Sequence, residues 1–427
     1  MPPPPVLTSF LAHEPATGHR AGARVVAGGA GYAVVEQAEA VARVLAAERG
    51  PRDPSRVVLV APRAPTSSRG PRGVSLRPFA APDGALDELA VRYVEDRAWR
   101  DRFRELLGDG PVLAHHLPAA RVVEALGLPS VVAMHSLWPT VRAAVDGGPP
   151  GPRADACARL LGSAAAVVVA TRAERDLLLA TAPAGVADVA ARVHVVPLAP
   201  SPWLRRLARR DGLARRRAAW RARLVPGAAP HDVVLAVVGR VVPYKGVLEA
   251  VASFVRVARA APRARLLVVG PPTDAPYAAR VAAAVEAAPR DVAARVHLVG
   301  PQRLEAAPLA SDVLVHLSRI ESFSRTLDEA ALLGRPAVVA ASPVLAERVG
   351  RGRAPATTSD DDVLWLEDLS PAALDAALLR AATDGAWRSA CGAASARRVE
   401  AVAPDAAARA LLAVWRAVGD SRACGSS

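Results

Sequence analysis

The chain has 427 residues, more than one ordinary domain holds and enough to bury two separate cores. Hydrophobic residues make up 52% and aromatics only 4%, a composition rich in Ala, Val and Leu that suits packed helices and buried parallel strands better than an antiparallel barrel. A formal net charge of +13 admits nucleic acid, an anionic membrane surface or an anionic small substrate as partner, whereas no apolar run reaches ~18 residues and Met1 to Pro5 lacks the cationic start of a leader, so neither a membrane span nor an export signal is expected.

In chain order, Val6 to Phe10 opens the first expected strand. Val34, Val35, Ala38, Val41, Ala42 and Leu45 then mark one face of a helix that follows Gly28-Gly29-Ala30-Gly31. Further strands are expected at Val57 to Val60, Val112 to Ala114, Val131 to Met134, Val167 to Ala170 and Val193 to Val196. From Arg205 to Arg223 the chain is densely basic. Its guanidinium groups alternate with apolar residues, and no ribonucleoprotein-type aromatic motif, zinc-finger spacing or heptad accompanies them, so the run reads as an amphipathic connector and not as a nucleic-acid site.

Beyond the connector the alternation sharpens. Val233 to Val238 is a continuous apolar run ending at Gly239, as expected of a strand covered on both faces. Leu266 to Val269, Val296 to Val299, Val313 to Leu317 and Ala337 to Ala340 repeat it, with helices expected at 247–258, Tyr277 to Ala288 and Thr326 to Leu333. Two doubly wound parallel α/β units are therefore predicted, 1–205 and 231–400, joined by the basic linker 206–230 and followed by a helix and tail over 401–427 that can pack back on the first unit.

Of the 54 Lys and Arg residues only Lys245 is a lysine, and it lies in Gly239-Arg240-Val241-Val242-Pro243-Tyr244-Lys245-Gly246. Keeping one compact ammonium in an otherwise arginine-only chain points to a position where a guanidinium will not serve, as at a phosphate. The loop leaves the carboxyl end of a buried strand, where open α/β sheets bind ligands, and its two cations can grip a diphosphate together. A second constellation, Glu321-Ser322-Phe323-Ser324-Arg325-Thr326-Leu327-Asp328-Glu329, follows the strand at Val313. With a helix starting near Ser324, its two glutamates straddle a helix N-terminus suited to an anionic or hydroxyl-rich ligand; taken singly, each reads more readily as a capping or surface acid.

Together, Gly239-Arg240 to Lys245-Gly246 and the Glu-x7-Glu pair resemble the nucleotide-sugar half of glycosyltransferase family 4, retaining enzymes of GT-B fold. Val268-Val269-Gly270, Val296-His297-Leu298-Val299-Gly300, Ser311-Asp312-Val313 and Gly334-Arg335-Pro336 follow in matching order, while the first half matches more loosely through Gly28-Gly29, His135 and Val193-His194-Val195-Val196-Pro197. The resemblance implies two Rossmann-like domains facing across a cleft, the first holding the acceptor and the second the donor. It implies that Arg240 and Lys245 bind the donor diphosphate, that Glu329 binds the ribose, and that Glu321 contacts the transferred sugar beside the amides of Phe323 and Ser324. Backbone at Val299 and Gly300 would line the base pocket, Gly28 and Gly29 would approach the phosphates, and His135 would face the sugar. Glu321, His135, Arg240 and Lys245 are thus the catalytic candidates. Two departures from the pattern are Ser324, where the family usually has glycine, and Ala341 to Leu345, which replaces a glycine-rich segment.

The implied reaction moves a hexosyl group, of glucose, N-acetylglucosamine or mannose type, from a nucleotide diphosphate sugar to a hydroxyl with retention. The acceptor stays open among an aminocyclitol, a natural product and a glycan. No metal and no cofactor beyond the nucleotide sugar is called for, because the two cations carry the positive charge, and a phosphate oxygen of the leaving group takes the acceptor proton. A non-catalytic binding protein on a degenerate GT-B fold is the competing reading; loss of Arg240, Lys245 or Glu329 would favour it, and all three are present.

Other motifs point elsewhere less well. Gly29-Ala30-Gly31 lacks the third glycine of a dinucleotide fingerprint. Asp360-Asp361-Asp362 lacks the preceding apolar strand of a GT-A metal triplet and reads as the start of a helix, and His115-His116 has no spaced partner for a metal. Cys157, Cys391 and Cys424 form no Cys-x-x-Cys pair, which fits a reducing cytoplasm. No nucleic-acid partner is expected, and a peripheral membrane contact is left open by the net charge.

Overall fold

The computed structural model describes residues 29–49, 57–62, 74–79, 96–107, 111–133, 152–182, 188–350, 363–403 and 405–425. Contacts divide them into two units, one formed by Gly29–Ala199 together with the residues from Ala403 onward, the other by Pro200–Val402.

In the first unit β1 (Val57–Pro62) and β2 (Val74–Phe79) form a parallel pair, in register from Val57 opposite Val74. β3 (Val112–His115), β4 (Ser130–Ala133), β5 (Ala166–Val169) and β6 (Val193–Val195) form a four-stranded parallel sheet in that order. The first three of these four are buried along their whole length, which is why their sequences do not alternate and are apolar apart from His115 at the end of β3 and Ser130 at the start of β4. One face of the sheet packs on Val122, Val123, Cys157, Leu160, Leu161 and Leu178. The other is covered by the helix Gly29–Arg49, through Val41, Val44 and Leu45, and by the helix Ala406–Gly425, through Ala408, Leu411 and Leu412. Trp415 Nε1 donates to the carbonyl of Pro111 at 3.1 Å, and Arg416 pairs with Glu48 at 2.5 Å.

In the second unit β7 (Val233–Val238), β8 (Ala264–Val269), β9 (Val296–Leu298), β10 (Val313–His316), β11 (Ala337–Ala340) and β12 (Val363–Leu366) lie parallel in the order β12-β11-β10-β7-β8-β9. The chain starts in the middle, runs outward to β9, returns to lay β10 on the other side of β7, and runs outward again. Val247, Val251 and Phe254 of the helix Val247–Val257 pack on one face with Leu374 and Leu378 of the helix Pro371–Thr383. Leu224, Ala306, Ala307 and Ala310 pack on the other.

Several expectations are revised. The basic run, expected as an amphipathic connector between the units, is helical, as Pro202–Ala208 and Leu213–Leu224 with Gly212 (φ 77°) before the second, and it belongs to the second unit. Leu204 and Leu207 enter its core, Arg205 donates to the carbonyls of Val399, Glu400 and Val402, and Arg217 and Arg221 converge on Asp312, so part of the charge does structural work. Asp360 to Asp362 lie outside the described residues, but the element that follows them is β12 and not a helix. Val6 to Phe10 also lies outside them. Among the described residues no helix is long and apolar enough to cross a membrane.

Candidate functional site

The order β9-β8-β7-β10-β11-β12 reverses between β7 and β10, so the loops leaving their carboxyl ends diverge and open the crevice in which such sheets hold ligands. The loop after β7 is pinned at its base. Gly239 has φ 147°, its N–H donates to Val269 O and Val241 N–H to Pro271 O, both at 2.9 Å. Gly270 (φ 152°) lies so close that a Cβ on it would stand 1.8 Å from Gly239 O, and its N–H reaches Gly300 O at 2.9 Å. Val299 and Gly300 (φ 65°) are thereby linked to the Arg240 loop by backbone alone. Pro243–Lys245 forms one 3-10 turn, and Gly246 (φ 68°) closes it against β10, where a Cβ would meet Leu317 Cβ at 2.6 Å.

That closure delivers Lys245 across the switch point. Its ammonium donates to Glu321 Oε1, joining the loop after β7 to the loop after β10. Both side chains are largely buried. Burial alone would raise the Glu321 pKa, but the Lys245 charge and the His316 hydrogen bond outweigh it and hold the carboxyl well below the usual carboxylate range, so it is ionised at neutral pH. His316, the last residue of β10, places Nε2 3.3 Å from Glu321 Oε1 and 2.9 Å from Ser324 Oγ. Arg240 is exposed and donates to the Tyr244 hydroxyl; the Arg240 and Lys245 cations lie 5.7 and 5.6 Å from the Tyr244 ring.

The second loop is held from beneath. Phe323 is fully buried, with the Arg348 guanidinium 3.7 Å from its ring centre, and Arg348 also binds both oxygens of Asp328, itself 1% exposed. Phe323 can therefore offer a ligand only its backbone. Ser324 adopts φ 68°, ψ 73°, the left-handed region that favours glycine, immediately before the helix Arg325–Leu332. Glu329 is buried on the second turn of that helix, one of its oxygens 3.5 Å from Arg325 Nε. Arg240, Lys245, Val299, Gly300, Glu321, Phe323, Ser324 and Glu329 thus all lie at the carboxyl ends of β7, β9 and β10 or on the helix that follows β10.

The family model described as Glycosyl transferases group 1 matches residues 232–384. The D-inositol 3-phosphate glycosyltransferase of Kineococcus radiotolerans is 32% identical over 309 residues, covering 69% of this chain and 68% of that protein. The chain belongs to the group 1 glycosyltransferases. Among solved structures, sucrose-phosphate synthase from Thermosynechococcus elongatus aligns over 97% of this chain and 99% of its own at a TM-score of 0.72 with 20% identity. Anabaena HepE in complex with UDP-glucose aligns over 98% and 99% at 0.65 with 14% identity. At that identity the likeness shows the fold, and the fold of the glycosyltransferase is GT-B, with two parallel-sheet domains.

The described site residues of the glycosyltransferase all belong to the second unit. Gly28 and His135 lie outside the described residues. Gly29, expected in a loop before a helix, is instead the first residue of the helix Gly29–Arg49, because the apolar periodicity that begins at Val34 leaves the start of the helix unmarked. His115 is buried at the end of β3. Among the described residues no three His, Cys, Asp or Glu side chains converge on a position that could hold a metal ion. Two participants went unnoticed in the sequence: Tyr244, which sits between the cations, and His316, whose signal was a lone imidazole closing the apolar run Val313-Leu314-Val315.

Proposed function

We propose that this glycosyltransferase is a retaining enzyme of family 4 type that moves a hexosyl group from a nucleotide diphosphate sugar to a hydroxyl of a small polyol. The observation that supports the reading is the Lys245–Glu321 ion pair across the switch point, which joins the candidate for the diphosphate to the candidate for the sugar. In this reading the donor diphosphate lies along Arg240 and Lys245, Glu329 accepts hydrogen bonds from the ribose hydroxyls, and the backbone of Val299 and Gly300 borders the base. Glu321 accepts from the sugar hydroxyls beside the amides of Phe323 and Ser324. Gly28 and Gly29 keep the phosphate role, and His135 the sugar role, that the resemblance gives them.

During transfer the bond from the anomeric carbon to the diphosphate oxygen breaks and the bond to the acceptor oxygen forms on the same face. The acceptor proton passes to an oxygen of the leaving diphosphate, so no side-chain nucleophile is required. The charge that grows on the diphosphate is met by the two cations, already placed before reaction begins. A uridine donor is favoured by the UDP-glucose complex of HepE, and a phosphorylated polyol acceptor by the D-inositol 3-phosphate enzyme.

A panel of nucleotide sugars, each with and without polyol and polyol phosphate acceptors, tests this. Acceptor-dependent release of nucleotide diphosphate is expected, with an axial or equatorial product linkage that matches the donor by NMR. Inversion of the linkage would exclude the retaining mechanism. Tight nucleotide binding without release from any donor would favour the binding-protein reading instead.

A further inference from the structure

Ser324 raises a geometric question at the sugar end of the site. At φ 68° a glycine is the easy choice, yet this residue carries a side chain that must point somewhere. Its Oγ is turned onto His316 Nε2 at 2.9 Å, in a buried position. The same nitrogen faces Glu321 Oε1 at 3.3 Å. A Ser–His–Glu set of this kind suggests a hydrolytic triad, but both partners meet one ring nitrogen, so no proton can pass through the imidazole from serine to acid. The arrangement instead makes a fork. Glu321 is ionised and can only accept, so with the hydrogen on Nε2 the one N–H is shared between Ser324 Oγ and Glu321 Oε1, both accepting, and Glu321 Oε1 then has two donors, Lys245 from the loop after β7 and His316 from the end of β10.

We propose that His316 is a positioning residue of the donor site: anchored by the Ser324 hydroxyl, it fixes the Glu321 carboxylate against Lys245 and keeps the serine side chain turned away from the transferred sugar. The proposal rests on the roles given above to Glu321 and Lys245. Without His316, Glu321 keeps the lysine but loses its second restraint and can rotate about its last side-chain bond, and Ser324 Oγ is released toward the loop. A carboxylate poorly aimed at the sugar slows the chemical step, while the nucleoside and diphosphate contacts stay as they were.

His316→Leu, which suits the end of a buried strand, is expected to lower kcat about ten- to a hundredfold, the loss of one charge-assisted hydrogen bond, with calorimetric affinity for nucleotide diphosphate within about twofold. His316→Gln presents an N–H near the position of Nε2 and should recover most of the rate. Ser324→Ala, which removes only the anchor, should fall between them. Thermal midpoints report whether each variant is folded. Nitrogen-15 histidine spectra read the arrangement without turnover: the parent should show hydrogen held on Nε2, and Ser324→Ala should keep it there, because Glu321 still accepts from it. Parental kcat in His316→Leu, equal losses in the Leu and Gln variants, or averaging tautomers in the parent would overturn the proposal. A parent that turns over no nucleotide sugar would overturn the proposed function, and the spectra would still decide whether His316 holds its hydrogen on Nε2.

Discussion

Lys245 illustrates how a residue type and its setting have to agree. Its aliphatic stem passes within 3.7 Å of the position a Cβ on Gly239 would take, and its ammonium ends between Tyr244 and Glu321. A guanidinium is wider and flatter than that slot. Lys245→Arg should therefore lower kcat/KM by at least about tenfold although the charge is kept, an outcome that initial rates would check and that parental activity would contradict. The two glutamates should separate in kinetics. Glu329→Gln is expected to weaken nucleotide diphosphate binding, because the ribose does not change during reaction, whereas Glu321→Gln should lower turnover more than affinity; about ten- to a hundredfold is expected in each case, read by calorimetry beside rates. If Arg240 and Lys245 supply the positive charge, as proposed, a chelator should leave the rate within about twofold; a strict requirement for manganese or magnesium, restored on adding it back, would return attention to Asp360 to Asp362. Lys245 drew attention in the sequence because it is the one lysine among 54 cations, whereas the two glutamates drew it only through the spacing of the family resemblance. His316 drew none, since a histidine at the end of a strand looks the same whether it fills space or aims a carboxylate.

Strands covered on both faces betray themselves as apolar runs, which is why β7, β8, β10 and β11 were readable almost to the residue. β2 escaped because Arg77 and Pro78 interrupt it, and β12 because Val-Leu-Trp-Leu is four residues long behind an acidic triplet. Which strands are neighbours, and hence that Lys245 meets Glu321, depends on pairing that periodicity does not encode. Two elements give predictions of their own. Gly246→Ala would place a Cβ 2.6 Å from Leu317 Cβ in a left-handed backbone, so the turn should lift off β10 and nucleotide diphosphate affinity should drop about tenfold or more, measurable by calorimetry. In the first unit, the helix Arg172–Ala180 starts with Thr171 Oγ accepting from Glu174 N–H while Glu174 Oε2 accepts from Ala170 N–H, a reciprocal cap. Glu174 is fully buried, and burial, only partly offset by that backbone bond, pushes its pKa up to about 8. The folded state therefore holds a proton that the unfolded chain releases near pH 4.5. The resulting contribution is complete below about 4.5 and lost as pH rises through 8, a few kcal/mol in all. Glu174→Gln should flatten that alkaline loss in denaturant titrations at pH 6 and 9; an unchanged slope would mean that the carboxyl is ionised in the fold.

At the scale of the molecule, the two units carry separate cores and should fail separately. Leu411 is 1% exposed in the helix Ala406–Gly425, so Leu411→Ala should cost the first unit about 2–5 kcal/mol. Hydrogen exchange should then show lost protection in β3 to β6 but not in β7 to β12, with nucleotide diphosphate affinity unchanged; equal losses in both sheets would contradict independent cores. The same helix has a consequence for how the protein is made. In chain order the whole of Pro200–Val402 lies between the β3-to-β6 sheet and the helix that covers one of its faces, so topologically the second unit is an insertion in the first. On a ribosome adding about 5–20 residues per second, the strand face bearing Leu113, Val131 and Val168 would wait roughly 10 to 40 seconds for its lid while the inserted unit completes its own sheet. The sheet that is synthesised first is the one that is finished last, and until then the helix Gly29–Arg49 alone covers that apolar face.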